Sequence, residues 1–388
     1  MMMQRKLTLT LAASMMMFPQ IVETIYSPAL THIAEGFHIS AEVAAQTLSS
    51  YFFAFALGVV VWGRLCDVIG RRPVILLGLG IYLLASVTAV FSESFTLLLG
   101  ARVIAAFGAA VGSVGTQTAI RDCFTGRELA QIFSLLGIAM AISPAVGILS
   151  GTVLTHYWGF QGVFSGLAVL AAILLAYAFW QMPETRPKQR VRNPFFNTFK
   201  RMLKDGDIWR SAVLVALLNT SMFSYYQLAP FHFDTLSIPP QWFGYTGFVL
   251  AAGVSLGAVV NNRLVARDWV FVSLLVLACG LGLLGGIAML VIENRVGFVF
   301  AMIPVVMAYG IAIPNILARA LRRYHDCIGT AGAILGLMYY MMLGGGLVLA
   351  GFTQRLSMVL IFCALLMGLM ILSMLREGRK YYTVSKDE

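Results

Sequence analysis

Along the chain, apolar runs of about twenty residues alternate with short breaks rich in charge, glycine or proline, and the pattern repeats twelve times. A helix needs roughly 20 predominantly apolar residues to cross a bilayer core. The runs therefore predict membrane-crossing helices over residues 7–28, 42–62, 74–91, 96–119, 129–152, 162–181, 210–231, 241–262, 269–291, 296–318, 328–350 and 356–376. The expected fold class is an all-α membrane protein with twelve transmembrane helices.

The spacing of the runs also sets the organisation. Six fall within residues 1–182 and six within 209–376, two halves of similar length, which predicts two six-helix bundles related by a pseudo-twofold axis. Between them lies the one long polar stretch, a cytoplasmic linker at 183–208, and a cytoplasmic tail follows at 377–388. Pro183, Pro187 and Pro194 work against one continuous helix in the linker. Phe195, Phe196 and Phe199 alternate there with basic residues, as in a segment resting on the inner membrane surface; a plain solvated connector is the simpler reading. Two six-span halves joined this way are expected of transporters whose halves rock about a central site.

Composition sharpens this picture. Of 388 residues, 59 % are hydrophobic and 11 % charged, against roughly 25 % charged in ordinary soluble domains. A soluble globular enzyme is excluded, because the chain lacks the polar residues needed to cover a water-facing surface. The formal charge of +10 would suggest nucleic acid in a soluble protein, but the basic residues alternate sides. With the N terminus in the cytoplasm, all but three of the 27 Lys and Arg fall in inner segments; Arg295 and Arg355 lie outside, and Arg102 lies within a span. This asymmetry predicts two cytoplasmic termini and an even number of spans, and it removes nucleic acid as a partner. The first run is too long for a typical signal-peptide core and reads as an uncleaved span. Together with the short loops, this suggests a bacterial inner membrane. Cys66, Cys123, Cys279, Cys327 and Cys363 show no metal-ligand spacing and avoid the outer loops, so neither a metal site nor a disulfide is expected.

Two ionisable residues lie away from the ends of the spans: Glu23 in the first and Arg102 in the fourth. A charged side chain at such depth costs at least about 2.5 kcal/mol on insertion scales, so it normally faces a cavity or a partner. Counted from the predicted span ends, both sit roughly 8–9 Å below the outer end and can share a polar cavity. Desolvation favours the neutral form of a carboxyl and a nearby cation favours the charged form, which is the chemistry of a proton-coupling site. Three roles are open to Glu23: proton coupling, recognition of a cationic substrate, or a static pair with Arg102. Arg102 is either a modulator of the coupling or a structural tie. Met16, Gln20, Glu23 and Ser27 recur at helical spacing on one face of the first span. Further lining candidates are Gln46 with Ser50, Asn219, Phe223 and Tyr226, and the isolated Gln117, Asn315, Tyr339 and Tyr340. For each of them, helix packing is the simpler reading. A pocket of aromatics, a few hydrogen-bonding groups and one acid suits amphiphilic, partly aromatic molecules.

The glycine patterns read as packing. Gly280, Gly282 and Gly285 form a GxGxxG, but no strand precedes it as a dinucleotide site requires. The pairs Gly108/Gly112, Gly147/Gly151, Gly253/Gly257 and Gly332/Gly336 place small residues on single helix faces, where backbones can approach closely.

Between the second and third runs stands Gly63-Arg64-Leu65-Cys66-Asp67-Val68-Ile69-Gly70-Arg71-Arg72. Its glycines permit a tight turn, and Asp67 can accept from helix amides or an Arg and so latch the inner helix ends. The segment resembles the GxLxDrxGRr loop of the major facilitator superfamily. The resemblance implies that Gly63, Asp67, Gly70, Arg71 and Arg72 stabilise the outward-facing state. The fourth span resembles that family's lxxxRxxqGxgaa motif through Leu98, Arg102, Gly108, Ala109 and Ala110, and departs from it at Ala105 and Ala106. Residues 139–148, AMAISPAVGI, resemble the antiporter motif gxxxGPxxGG, keeping Pro144 and Gly147, with Ser143 and Ile148 in place of glycines. Pro144 is expected to bend that helix. Thr24-Ile25-Tyr26-Ser27-Pro28-Ala29-Leu30 and Pro183-Glu184-Thr185-Arg186-Pro187 resemble drug:proton antiporters of the bicyclomycin and chloramphenicol resistance type, and Tyr26 joins the substrate-binding candidates.

The resemblance implies a monomeric, cofactor-free exporter that exchanges protons for small amphiphilic compounds by alternating access. A dedicated exporter of an endogenous metabolite, such as a siderophore or sugar-like compound, is the alternative. No large cytoplasmic effector region suggests a receptor, and no His/Asp, Ser/Lys or metal-ligand group at membrane depth suggests an intramembrane enzyme.

Overall fold

The structure, a computed structural model, describes residues 7–186 and 195–384. Pro187, Pro194 and the linker residues between them lie outside the described residues. Among the described residues the regular structure is entirely helical. The elements are α1 (Leu9–Ile25), a 3₁₀ turn (Ser27–Ala29), α2 (Leu30–Gly36), α3 (Ala41–Ile69), α4 (Arg71–Val90), α5 (Phe95–Cys123), α6 (Gly126–Gln181), α7 (Phe195–Leu203), α8 (Gly206–Thr235), α9 (Gln241–Val265), α10 (Phe271–Ile292), a 3₁₀ segment (Val296–Ala301), α11 (Met302–Ala320), a second 3₁₀ segment (Arg322–Cys327), α12 (Ile328–Thr353) and α13 (Leu356–Val384). Ten helices among the described residues are long and apolar enough to cross a membrane.

Local chemistry sets several of the boundaries. Ser40 caps α3 by accepting from the Val43 amide, Ser94 caps α5 through Leu97, and Asp205 caps α8 through Asp207. α6 holds two of the predicted spans. Its backbone stays helical through Pro144, and the sharp change of direction comes at Gly159, whose φ of 63° suits a residue without a Cβ. The first span departs most from expectation. α1 stops at Ile25, the chain turns through Ser27–Ala29 where Pro28 lacks an amide hydrogen to continue the ladder, and α2 carries the path on to Gly36.

α1, α3, α4, α5 and α6 pack on one another, α8 to α13 pack on one another, and the two groups meet mainly where α3 lies along α12 and α6 along α9. Large apolar side chains stay exposed along these helices, among them Leu84, Ile138, Phe248, Val291, Phe352 and Leu369. Lipid is the solvent in which such a surface is stable. Polar and aromatic groups are held inside instead, including Glu23, Arg102, Asn219, Gln227 and a set of tyrosines. The amphipathic α7 lies under the second group, with Phe195, Phe199 and Met202 packed near Tyr324 and Leu335 while Phe196 stays exposed.

Candidate functional site

Glu23 stands in the last turn of α1 and is 2 % exposed. Its Oε1 has no hydrogen-bond partner. Around it, within electrostatic range, are Tyr51 of α3, Tyr226 of α8, Tyr309 of α11, and Tyr339 and Tyr340 of α12. Both groups of helices thus contribute to one centre with a single carboxyl. Its aromatic wall continues through Tyr340, stacked at 6.0 Å on Phe52 and edge-on at 4.9 Å to Phe55, and through Phe223, edge-on at 4.7 Å to Phe52. Tyr339 and Tyr340 approach to 4.3 Å. Tyr309 donates to Asn219 Oδ1 at 3.4 Å, which ties Asn219 to the edge of this wall.

Arg102 is 1 % exposed and forms no ion pair with Glu23. Its guanidinium lies against two rings, 3.9 Å from the centroid of Tyr26 and 4.8 Å from that of Tyr51. The break in the first span accounts for the separation. Beyond Glu23 the path runs to Gly36 rather than ending near residue 28, so Glu23 lies about 20 Å of helical rise from that end, whereas Arg102, seven residues into α5, lies about 10 Å from its start. The equal depths expected from the sequence are corrected accordingly, and Tyr26, just past the end of α1, occupies the level between the two.

α1 is held in place by the glycines of α6. A Cβ on Gly147 would run into Thr24 Oγ1 and come within 2.9 Å of the Ile21 carbonyl, and one on Gly151 would strike the Ile25 carbonyl. Gly147 and Gly151 therefore belong to the wall that α1 packs on, and Pro144 stands one turn before Gly147 on the same helix.

At the end that carries the basic loops, Gly70 turns the chain with φ 107° between α3 and α4. Arg71 is the hub there: Nε donates to Asp122 Oδ2 at 2.7 Å, Nη1 donates to the Cys66 carbonyl at 2.8 Å, and Nη1 pairs with Asp67 at 3.4 Å. The first amides of α4 are taken by Glu184, which accepts from Arg71 N at 3.0 Å and Arg72 N at 3.2 Å. Of the two partners open to Asp67, helix amides or an Arg, it takes the Arg: it is 55 % exposed and pairs with Arg71, while Glu184 takes the amides. Arg72 bonds the Phe179 carbonyl, and Gly63 faces Val114 and, at 3.9 Å, Ala333 of α12.

The remaining candidates scatter. Gln20 is half-buried one turn before Glu23. Gln46 donates to the Val348 carbonyl at 3.3 Å, well toward the opposite end from the basic loops. Gln117 bonds Ser113 on its own helix, and Asn315 bonds Asn261 across α9 and α11 at 2.7 Å, so neither joins the Glu23 cluster. Tyr309 was missed by the sequence reading because it sits in an apolar run with no polar neighbour at helical spacing; Tyr51 was missed although Thr47 stands one turn before it and Ser50 beside it. Gln227 was missed too, although a glutamine inside a span is a visible signal; it donates to Ala45 O at 2.8 Å and Leu347 O at 3.1 Å. Asp122 was legible only as an acid beside Arg121 at the end of a span.

The profile of the Major Facilitator Superfamily matches residues 12–350. The chain belongs to the major facilitator superfamily. Among relatives, an uncharacterized transporter of Rickettsia bellii is 30 % identical, covering 83 % of this chain and 84 % of its own. A chloramphenicol resistance protein of Pseudomonas aeruginosa is also 30 % identical, covering 83 % and 77 %. Multidrug resistance protein D of Escherichia coli is 32 % identical over about half of each chain, 47 % and 46 %. A solved D-xylose-proton symporter shares the fold at a TM-score of 0.74 and 13 % identity, covering 92 % of this chain and 96 % of its own. Within the superfamily this is a transporter of small molecules, not an enzyme, and the matched range includes both the Gly63–Arg72 loop and the Arg102 helix.

Proposed function

We propose that the protein is a proton-coupled exporter of small amphiphilic compounds working by alternating access. In this reading it is a monomer in a bacterial inner membrane. The chain crosses twelve times in two six-helix bundles, residues 1–182 and 209–376, with the linker at 183–208, the tail at 377–388 and both termini cytoplasmic. The twelve crossings comprise the ten long apolar helices, the two arms of α6 counted separately about Gly159, and the path from α1 through α2.

The observation that carries the proposal is the lone carboxyl of Glu23 among five tyrosines drawn from both groups of helices, with no cation in pairing distance. A carboxyl so placed is a proton-binding group whose occupancy depends on whether water reaches it. Tyrosines and phenylalanines around it offer flat apolar surface with hydroxyl handles, which fits amphiphilic cargo. Glu23 carries the proton, Arg102 modulates the exchange, and the drug-resistance names of the relatives support the direction.

The test uses purified protein in liposomes with an internal pH dye, challenged with amphiphilic cations, neutral antibiotics and metal-chelating metabolites. Substrate-dependent proton movement by the wild type, lost in Glu23→Gln, is expected. Undiminished uphill export by Glu23→Gln would overturn the assignment, and cargo movement without protons would make the protein a uniporter.

A further inference from the structure

We propose that Arg102 is the head of a buried anion site, which takes a singly charged anion of halide or carboxylate type. The site does not depend on Glu23 carrying a proton. It is built by elements already fixed in place. α5 presents Arg102, α1, α3 and α4 pack against α5, and the path after α1 brings in Tyr26. The guanidinium is 1 % exposed, its Cζ lies over the Tyr26 and Tyr51 rings, and Nε, Nη1 and Nη2 all lack a protein acceptor. What stays unused is its set of N–H donors, a rigid fork that matches a carboxylate bidentately or holds a single halide. A cation taken out of water and left with ring quadrupoles alone is poorly compensated.

The surrounding charges do not supply the missing partner. On the packed elements, the described acidic and basic side chains are Glu23 of α1, Glu42, Arg64 and Asp67 of α3, and Arg71 and Arg72 of α4, with half-buried His32 and exposed Glu35 on the following α2. Glu42 stands in the first turn of α3, and the Arg64, Asp67, Arg71 and Arg72 group stands at the far, basic end, where Arg71 engages Asp67 and Asp122. Glu23 lies deeper, with Tyr51 within range of both charges. The surroundings favour an anion further: the Tyr51 hydroxyl is buried without an acceptor, and the Tyr82 hydroxyl lies within electrostatic range of Arg102. The anion comes either from solution, as chloride, or from a carboxylate on the cargo.

The experiment is a thermal-stability titration of the purified full-length protein, moved into sodium isethionate and titrated at constant ionic strength. One series uses chloride and bromide, the other acetate and benzoate, on wild type, Glu23→Gln and Arg102→Gln. A ligand bound only by the folded state raises the Tm in a saturable way. The expected result is a saturable rise in wild type and Glu23→Gln, with an apparent affinity at least tenfold weaker in Arg102→Gln. A halide response assigns the solution source, and a response to carboxylates alone assigns the cargo source. No saturable rise in wild type, or an equal rise in Arg102→Gln, overturns the site. Should Arg102→Gln fail to purify, wild-type crystals soaked in bromide and, separately, in 4-bromobenzoate decide: an anomalous peak beside the guanidinium in either soak supports the site, and its absence from both overturns it.

Discussion

Replacing Gly147 by alanine tests the seam that holds Glu23 in place. The added methyl would overlap Thr24 Oγ1 and stand 2.9 Å from Ile21 O and 3.2 Å from Ile25 N. Thr24 can rotate its side chain, but the other two are backbone atoms of α1, so the helix itself has to move. Forcing an extra methyl into a packed interior typically costs about 1–3 kcal/mol. Alanine also favours a helix over glycine by about 0.8–1.0 kcal/mol, so the proper references are Gly80→Ala and Gly280→Ala, helical glycines with open space at the Cβ position. Thermal unfolding in detergent, followed by tryptophan fluorescence, should place Gly147→Ala below wild type and the two references at or above it. Transport should fall as well, because the displaced helix carries Glu23. A Gly147→Ala protein as stable and as active as Gly80→Ala would refute the close α1–α6 contact.

Two further outcomes follow from the geometry. Asp122→Ala should destabilise more than Asp67→Ala, since Asp122 is 13 % exposed and holds the buried Arg71 at 2.7 Å while Asp67 is 55 % exposed; an exposed pair is worth about 0–1 kcal/mol, and the reverse order of Tm values would move the hub away from Asp122. Gln227→Leu removes the bonds to the Ala45 and Leu347 carbonyls, at about 0.5–1.5 kcal/mol each because both carbonyls keep their helical donors; a Ser49→Cys reporter in that background should react faster with an impermeant maleimide added from outside, and an unchanged rate would show that Gln227 does not hold the helices together.

What could be read from the sequence was what each segment carries by itself. Length and apolarity marked the helices, the basic loops marked one end, and the rarity of charge at depth marked Glu23 and Arg102. What could not be read was rotation and reach. Nothing local distinguishes Tyr309 from neighbouring apolar residues, and nothing local turns Tyr51 toward Glu23, because orientation is set by packing against other helices. Arg71 meets Asp122 51 positions away and its amide meets Glu184 113 positions away, so only its pair with Asp67, the acid one turn before it, was within reach of a local reading. Pro28 was a legible breaker, yet the run of apolar residues hid the continuation through α2 and with it the true depth of Glu23.

The bonds that join the two groups of helices bear on how the proposed exchange can be reversible. Among the described residues, Ser27 donates to the Tyr226 carbonyl, Gln46 to Val348 O, Gln227 to Ala45 O and Ser49 Oγ, and Gln241 meets His156. Every one of these lies toward the end opposite the basic loops. All are bonds from side chains, so each can break without unwinding a helix. At about 0.5–1.5 kcal/mol net each, together they amount to about 3–7 kcal/mol, the scale of the few kcal/mol that separates interconverting states. Cargo and proton binding at Glu23 can shift a balance of that size, whereas an ion-paired or continuously apolar closure would hold it fixed. The same reasoning explains why the hub on Arg71 stays within one group of helices: it keeps α3, α4, α5 and the end of α6 together as one body, leaving the weak polar contacts at the other end as the ones that yield.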